Sequence, residues 1–291
     1  MWQILGATLV SACCLVSVTL ALAGGDSFLP LILRQDLLPI PSGTAISTPP
    51  APTSTKPPWW QPSPRTSWQW QLSGTIDTSF DVQMYDIDLF DALQSVIDQL
   101  HADSRVVICY FSAGSWEDWR PDAAQFPESL LGEDLEGWPG ERWLDIRALP
   151  ILGPLMAARL DLAKQKGCDG VEPDNVDGYS NTTGFPLSYE DQLAYNTWLA
   201  EEAHARGLSI GLKNDLAQIA DLLAEFDWAL NEQCFQYDEC DLLLPFVQSG
   251  KAVFGVEYEL EPEEFCSQAN TMDFDWLRKN WELDAWQISC R

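Results

Sequence analysis

The stretch VEPDNVD, residues 171–177, decides the fold of this chain. Gly170 and Val171 form a short β-type run that leads into three acids and one amide. Close carboxylates repel one another and lose hydration when buried, so such a cluster is unfavourable inside a core. It is typical of a strand end that opens on a pocket. A second acid, Glu232, ends another apolar run at residues 228–232, so two strands are expected to present carboxylates at one rim.

Strand-like and helix-like runs alternate outward from this stretch. The predicted strands are Trp68–Leu72, Val82–Ile87, Val106–Phe111, Gly170–Asp174, Leu208–Leu212, Trp228–Asn231, Ala252–Tyr258 and Trp286–Ser289. Helical patterns lie between them, including residues 154–166, 189–206 and 216–226, with Gly167 and Gly207 as stop signals. Eight strands alternating with helices predict an α/β fold, the TIM (β/α)8 barrel. A doubly wound open sheet is the alternative, but no GxGxxG or phosphate-binding loop follows the first strand.

The first 67 residues differ in character from the rest. Residues 1–23 contain an apolar run and a small-x-small pattern, which predicts a signal peptide. The run is also nearly long enough to cross a bilayer, so retention as a membrane anchor stays open. Residues 24–67 are expected to be a disordered Pro/Ser/Thr-rich linker or stalk. Residues 68–291 are then the folded domain, and the protein is expected to be secreted or displayed at the cell surface.

The chain is strongly acidic, with a formal net charge of −28. From Trp68 onward it carries 42 of the 44 acidic residues and 13 of the 16 basic ones. This charge disfavours nucleic acid and anionic membranes as partners and favours a cationic ligand. A general adaptation to solubility is an equally good explanation of the charge.

Six of the eight cysteines lie in the predicted domain, and an even number in a secreted chain indicates disulfides. Their spacing predicts the pairs Cys234–Cys240 and Cys266–Cys290. Cys109 and Cys168 lie in or beside apolar runs, so they are either a third pair or buried thiols. Two histidines and no CxxC spacing argue against a metal site, and nothing in the sequence calls for a cofactor.

Polar residues recur where predicted strands end, and in a barrel these ends share the face that carries active sites. They are Asp86 at the second strand, Tyr110, Ser112 and Trp116 at the third, Glu172, Asp174 and Asn175 at the fourth, Lys213, Asn214 and Asp215 at the fifth, Glu232 and Gln233 at the sixth, and Glu257, Tyr258 and Glu259 at the seventh. Any one of these is consistent with an ordinary surface loop. Six consecutive strands with polar ends predict a site.

Two strand-end carboxylates are the minimum that glycoside hydrolysis requires: one attacks or stabilises the sugar centre, and one protonates the departing oxygen. Asp174 and Glu232 are the candidate catalytic pair, with Asp174, nearer the mouth than Glu172, as the nucleophile. The candidate substrate-binding residues are Trp70, Asp86, Tyr110, Trp116, Glu172, Asn175, Lys213, Asn214 and Tyr258. The aromatic members can stack on sugars or an ammonium, although packing explains each of them equally well.

Seven segments together resemble glycoside hydrolase family 114, the endo-α-1,4-polygalactosaminidases. They are WQL at 70–72, DID at 86–88, CYFSAG at 109–114, WLDIR at 143–147, EPDNVDGY at 172–179, KN at 213–214 and NEQC at 231–234. The resemblance covers essentially all of residues 68–291, and EPDNVDGY and NEQC are its most specific parts. It implies a TIM barrel, retaining hydrolysis of α-1,4-linked galactosamine, and a catalytic Asp and Glu at Asp174 and Glu232.

The acidic charge agrees with that implication, because partly deacetylated galactosamine polymers are cationic at mildly acidic pH. A cationic galactosamine-containing polysaccharide is therefore the expected partner. Two alternatives remain: a barrel glycosidase with another substrate, such as an α-galactosidase or a chitinase-like enzyme, and a non-catalytic glycan-binding barrel. The second would require one catalytic carboxylate to be missing or displaced, whereas both are present in the sequence.

Overall fold

The computed structural model describes residues 57–291. The predicted signal or anchor segment and residues 24–56 of the predicted linker lie outside these described residues. Within residues 57–291, no helix combines the length and the apolar character needed to cross a membrane.

The fold is a TIM barrel, as predicted. Twelve strands and six α-helices follow one another in the described chain. The strands are β1 Trp68–Gln71, β2 Met84–Asp88, β3 Val106–Ser112, β4 Ser115–Glu117, β5 Leu131–Asp134, β6 Glu141–Leu144, β7 Gly170–Asp174, β8 Ser209–Lys213, β9 Trp228–Glu232, β10 Val253–Glu257, β11 Asp275–Lys279 and β12 Gln287–Ser289. The helices are α1 Gln94–Ala102, α2 Leu149–Lys166, α3 Tyr189–Ala205, α4 Ile219–Leu222, α5 Leu244–Gln248 and α6 Pro262–Thr271.

Eight parallel strands form the barrel in the order β1, β2, β3, β7, β8, β9, β10 and β11. At the seam between β1 and β11, the indole nitrogen of Trp68 donates to the carbonyl of Asp275 at 2.9 Å. The Lys279 ammonium contacts the side-chain oxygen of Gln69 at 3.3 Å. Side chains thus join the two edge strands of a nearly closed barrel.

The eighth parallel strand was misplaced in the sequence analysis. It is β11, Asp275–Lys279, whereas the predicted Trp286–Ser289 run contains β12, which pairs antiparallel to β11. Three of the five residues of β11 are charged, so the segment lacks the apolar run that marks a buried strand. The structure buries the Lys279 ammonium by giving it the Asp284 carbonyl as an acceptor at 2.7 Å, a contact that the sequence pattern does not reveal.

Helix ends also differ from the expected ones. The helices predicted at 154–166 and 189–206 are present as α2 and α3, and Gly167 ends α2 in a left-handed conformation. The stretch predicted as a helix at 216–226 is a 3-10 turn, Leu216–Gln218, followed by the short α4.

Two hydrophobic cores result from the alternation of side chains along the strands. One fills the barrel and is rich in tryptophan; its members include Trp68, Trp70, Trp228 and Phe254. The other lies between the strands and the surrounding helices. The interior core occupies the lower part of the barrel, and above it the inward positions near the strand carboxyl ends are polar.

A small antiparallel sheet, in the order β4, β6, β5, lies in the connection between β3 and α2. Sequence periodicity does not predict this sheet, because its strands are only three or four residues long and carry charged side chains. Its position after β3 places it at the carboxyl-terminal mouth of the barrel.

Three disulfides link the described cysteines. The predicted pairs Cys234–Cys240 and Cys266–Cys290 are confirmed. Cys109 and Cys168, which the sequence left open, are also bonded. This third bridge ties β3 to the residues that precede β7.

Residues 57–67, assigned to the linker from composition, pack on the barrel. The Trp59 indole and the Gln61 amide both donate to Asp227 at 2.9 Å. Trp59 also stacks on His204, with ring centroids 4.0 Å apart. The ordered contacts with the barrel therefore begin before Trp68.

Candidate active site

A cavity of about 380 Å³ opens at the carboxyl-terminal mouth of the barrel. Because β7, β8 and β9 are parallel neighbours, their final residues Asp174, Lys213 and Glu232 meet at this mouth. Strand alternation turns all three side chains inward. The structure thus brings together polar residues that are far apart in sequence.

Lys213 is the centre of the site. Its ammonium lies 3.1 Å from one oxygen each of Glu172, Asp174 and Glu232. Burial alone would lower the pKa of Lys213, but the three carboxylates outweigh it and raise this pKa well above its ordinary value. Lys213 is therefore a permanent cation that holds the three acids together. The Lys213 ammonium also lies 4.8 Å from the ring centroid of Trp70.

The three acids differ in access to the cavity. The side chains of Asp174 and Glu232 are 18% and 25% exposed, and both line the cavity. Glu172 is fully buried beneath them and lies outside the cavity lining. Its second oxygen accepts a hydrogen bond from the Trp70 indole at 3.0 Å. Two acids can therefore reach a substrate, and the third serves to hold Lys213.

Two tyrosines hold the exposed carboxylates. Tyr110 donates to Asp174 at 2.9 Å, and Tyr258 donates to Glu232. Burial, followed by the nearby acids, raises the pKa of both phenols well above the ordinary value, so they remain donors. Each of the two carboxylates thus has a tyrosine on one oxygen and Lys213 on the other.

Asp86 lies below this layer and is fully buried. No described residue donates a hydrogen bond to either of its carboxyl oxygens. Burial, which is the largest cause, and the nearby Glu172 carboxylate raise the pKa of Asp86 well above its ordinary value. Asp86 therefore lies beneath the site, out of reach of a ligand in the cavity.

The two asparagines after the strands have different neighbours. Asn214 accepts from the Glu232 backbone nitrogen at 3.0 Å and directs its amide nitrogen to the Glu232 carboxylate at 3.4 Å. Asn175 directs its amide nitrogen to Ser112 at 2.9 Å and Ser115 at 3.2 Å. Asn175 therefore gives its donors to the protein, although it still lines the cavity.

Most of the predicted site residues surround the cavity. Those that line it are Trp70, Tyr110, Asp174, Asn175, Lys213, Asn214, Glu232 and Tyr258. Asp86, Glu172 and Trp116 do not line it. The Trp116 indole instead donates to the Ala123 carbonyl at 3.0 Å, so this ring packs within the β3–α2 connection and does not face a ligand. Asp86 and Glu172 support the site from below.

Several residues of the cavity wall were missed by the sequence analysis. Trp119, Trp138 and Trp281 are about half exposed and line the mouth. Glu141 on β6 lines it as well. The three tryptophans lie in connections between strands, and Glu141 begins a strand of only four residues. Neither setting has a periodicity that marks a side chain as facing a cavity.

A second cavity, of about 300 Å³, adjoins the first. The two share Trp138, Asn214, Glu232 and Trp281. Glu232 therefore lies at the junction of one continuous groove, whereas Asp174 lines the first cavity and not the second.

The described residues contain no group of three His, Cys, Asp or Glu arranged to hold a metal ion. The space between the three central carboxylates is occupied by the Lys213 ammonium. The arrangement offers acid–base and nucleophilic chemistry through carboxylates.

Known proteins resemble this chain in both sequence and fold. The model of glycoside-hydrolase family GH114 matches residues 49–291. Aspergillus fumigatus Ega3, solved in complex with galactosamine, is 45% identical, with a TM-score of 0.76 over 79% of this chain and 97% of Ega3. The glycoside hydrolase domain of PelA from Pseudomonas aeruginosa is 13% identical, with a TM-score of 0.60 over 77% of this chain and 97% of that domain, and supports the fold alone.

No curated protein sequence matches the chain. The family model covers most of the chain's length and all of the described residues. An identity of 45% over almost all of Ega3 agrees with that match. On this evidence the chain is a glycoside hydrolase and belongs to glycoside hydrolase family GH114.

Proposed function

We propose that this chain is an endo-acting hydrolase that cleaves α-1,4-linked galactosamine polymers by a retaining mechanism with two carboxylates. One observation carries the proposal: Asp174 and Glu232, both open to the cavity, contact the same ammonium at 3.1 Å. Their nearest oxygens are therefore at most twice that distance apart. This favours the roughly 5–5.5 Å spacing of retaining enzymes over the roughly 6.5–9.5 Å of inverting ones.

The groove supports a division of roles between the two acids. Asp174 lines the first cavity but not the second. There it would attack the anomeric carbon of the sugar bound in the first cavity. Glu232 lies where the two cavities meet, the place expected for the oxygen between two sugar units. Glu232 would protonate this oxygen as the bond breaks and then activate the water that releases the covalent intermediate.

Lys213 and the tyrosines serve this chemistry by positioning. Lys213 and Tyr110 donate to opposite oxygens of Asp174, which fixes the orientation of this carboxylate towards the cavity. Asn214 and Tyr258 hold Glu232 in a defined orientation. Asp86 and Glu172 complete the support from below.

The continuity of the groove supports endo action. Exposed aromatic side chains lie on both sides of Glu232: Trp119 in the first cavity, Tyr237 in the second, and Trp138 and Trp281 in both. Such rings are suited to stack on sugar faces. A chain that occupies both cavities extends in both directions from the cleaved bond.

The charge of the groove supports a cationic polymer. Eight carboxylates line the first cavity, whereas its two basic side chains, Arg120 and Lys213, are each paired with carboxylates. The whole chain carries a net charge of −28. This field would attract protonated amines. The galactosamine bound to Ega3, at 45% identity, points to the same sugar.

We also propose that the protein acts outside the cytosol, either secreted or held at the cell surface by its N-terminal segment. Three disulfides support an oxidising location. Residues 1–23 would act as the signal peptide or anchor and residues 24–56 as a linker. The catalytic domain would then comprise residues 68–291 together with the segment 57–67 that packs on the barrel. The substrate polysaccharide is the proposed partner, and no cofactor takes part.

The test is incubation of the full chain with partly deacetylated galactosaminogalactan, with products read by mass spectrometry. Internal cleavage into oligosaccharides is expected. Asp174→Asn and Glu232→Gln should each abolish most turnover without changing the fold, since each keeps its size and loses its ionisable group. Exclusive cleavage of α-galactosides or chitin would favour another glycosidase. Near-wild-type activity of both variants would refute the catalytic assignment.

An activated substrate with a good leaving group separates the two roles. Glu232→Gln should still form the covalent intermediate, because such a substrate needs no proton in the first step. Azide should then rescue this variant and give a product of retained configuration. Asp174→Asn lacks a nucleophile and should not form the intermediate. The reverse pattern would exchange the two assignments.

A further inference from the structure

Glu141 is a cavity residue that the proposed chemistry does not use. It lies on β6 in the small antiparallel sheet and lines the first cavity. The residue is only 7% exposed, yet one oxygen, Oε1, accepts no hydrogen bond from any described residue. This oxygen is not among the buried unpaired atoms, so it opens on the cavity. Glu141 is thus a held carboxylate with a free face.

A chain of hydrogen bonds fixes the other oxygen. Asn175 donates to Ser112 and Ser115 at 2.9 and 3.2 Å. The two serine hydroxyls lie 2.7 Å apart, and Ser115 donates to Glu141 Oε2 at 2.7 Å. The donors all run towards Glu141, so the chain orients its carboxylate. Through Asn175, the same chain is covalently joined to Asp174.

Among residues 57–291, no basic side chain forms an ion pair with this carboxylate. Arg120 is directed to Asp88 and Glu117, at 2.7 Å from each. Burial, the largest cause, together with Glu117 and Asp174 raises the pKa of Glu141 to about 7, against the Ser115 hydrogen bond and Arg120. A cation bound at Oε1 would stabilise the charged carboxylate and lower this pKa again.

Two indole rings line the same cavity as Glu141. Trp119 packs against Gly140, the residue before Glu141, because a Cβ placed on Gly140 would lie 3.0 Å from the Trp119 ring. Trp138, on the turn that leads into β6, also lines the cavity. A carboxylate beside exposed indole rings is the arrangement expected for a ligand with both a cationic group and an apolar ring face.

We propose that Glu141 is a binding subsite for the ammonium group of an amino-sugar unit on the Asp174 side of the cleaved bond. We place this subsite on the Asp174 side of the cleaved bond because Glu141, like Asp174, lines the first cavity and not the second. This inference rests on the proposed function, since it assigns a place to one amine of that substrate. The subsite selects free amines, because an N-acetyl group leaves Oε1 without a charged partner.

The test is a binding cycle on full-length protein that carries Asp174→Asn to prevent turnover. Dissociation constants of fully deacetylated and fully N-acetylated α-1,4-galactosamine oligomers are measured with Glu141 and with Glu141→Gln. Gln keeps the size of the side chain and an acceptor for Ser115. Acetylation should weaken binding about tenfold more in the protein with Glu141 than in the Glu141→Gln variant. This factor corresponds to the free energy of one hydrogen bond between charged groups.

Glu201→Gln is the matched control. It removes the same charge from an exposed position on α3, and it should leave the effect of acetylation unchanged. Circular dichroism and the unfolding temperature establish that each variant is folded. If Glu141→Gln does not fold, oligomers acetylated at a single unit supply the second measurement: one position on the Asp174 side should lose about tenfold in affinity.

The subsite is refuted if the effect of acetylation on the dissociation constant differs by less than twofold between the protein with Glu141 and the Glu141→Gln variant. Equal loss of affinity at every acetylated position, or no binding of the deacetylated oligomers, would also refute it. Turnover by the unmodified chain separates this from the proposed function. Cleavage of the polymer without the Glu141 effect refutes the subsite alone. The Glu141 effect without cleavage refutes the proposed function and leaves the subsite standing.

Discussion

Gly114 packs against the backbone of Asn175 beside the candidate site, and Gly114→Ala is expected to abolish most activity without unfolding the protein. A Cβ at this position would lie 1.7 Å from the backbone oxygen of Asn175. Cβ atoms in real structures essentially never approach another heavy atom within 3.0 Å, so the two segments must separate by more than 1 Å. The obstacle is backbone, and a side-chain rotation does not relieve it.

The displacement acts directly on Asp174. The Asp174 carbonyl accepts hydrogen bonds from the backbone nitrogens of Ala113 and Gly114, at 2.9 and 3.1 Å. Moving Gly114 away from Asn175 therefore shifts the residue proposed as nucleophile. Misplacement by about 1 Å costs roughly 10²-fold in rate, equivalent to about 2.7 kcal/mol in the activation barrier. Overpacking costs about 1–3 kcal/mol of stability, which a domain of this size tolerates.

The assay compares kcat/KM on galactosamine polymer with the unfolding temperature. Gly153→Ala is the matched control, because the same methyl group meets nothing closer than 3.4 Å on α2. Alanine favours a helix interior over glycine by about 0.5–1 kcal/mol, so this control should keep its activity and its stability. Activity of Gly114→Ala within threefold of wild type would refute the argument that Gly114 positions Asp174.

Two further predictions concern stability. Asp86→Asn should raise the free energy of unfolding at neutral pH. The pKa of Asp86 in the folded state lies above that in the unfolded state, so stability falls as pH rises through that interval, whereas Asn has a similar size and does not ionise. Chemical denaturation at pH 5 and pH 7.5 should show a gain that grows with pH, and a gain independent of pH would contradict it. Replacing both cysteines of Cys109–Cys168, which closes a 59-residue separation, should cost about 4 kcal/mol, against about 2 kcal/mol for the 6-residue separation of Cys234–Cys240. The unfolding temperature should therefore fall further for the first pair, and the reverse order would refute the chain-entropy argument.

Local patterns in the sequence were sufficient for the barrel and for the position of its polar rim. Gly170–Asp174 was predicted with the ends that the structure has, because a β-type run that meets a cluster of acids marks a strand end at a surface. Glu232 followed from the same reasoning and ends β9. Parallel strands in a barrel share one carboxyl-terminal face, so strand ends alone predicted that these acids meet.

Strand assignment failed where burial depended on a distant partner. Asp275–Lys279 carries three charges and reads as surface, yet it is a barrel strand whose Lys279 is satisfied by Gln69 and Asp284. Propensity and periodicity report the neighbours of a residue along the chain. They do not report a hydrogen-bond acceptor that is 210 residues away.

The sequence by itself determined the fold class, the pairing of Cys234–Cys240 and Cys266–Cys290, and the meeting of Asp174 with Glu232 at one rim. Only the tertiary structure decided which acids reach the cavity: Asp174 and Glu232 are open, whereas Glu172 is buried with Lys213 and Trp70. It also decided that Glu141 faces the cavity. The reason is physical: side-chain direction along a strand is a local property, whereas access to solvent depends on how the barrel closes and where the connecting loops lie above it.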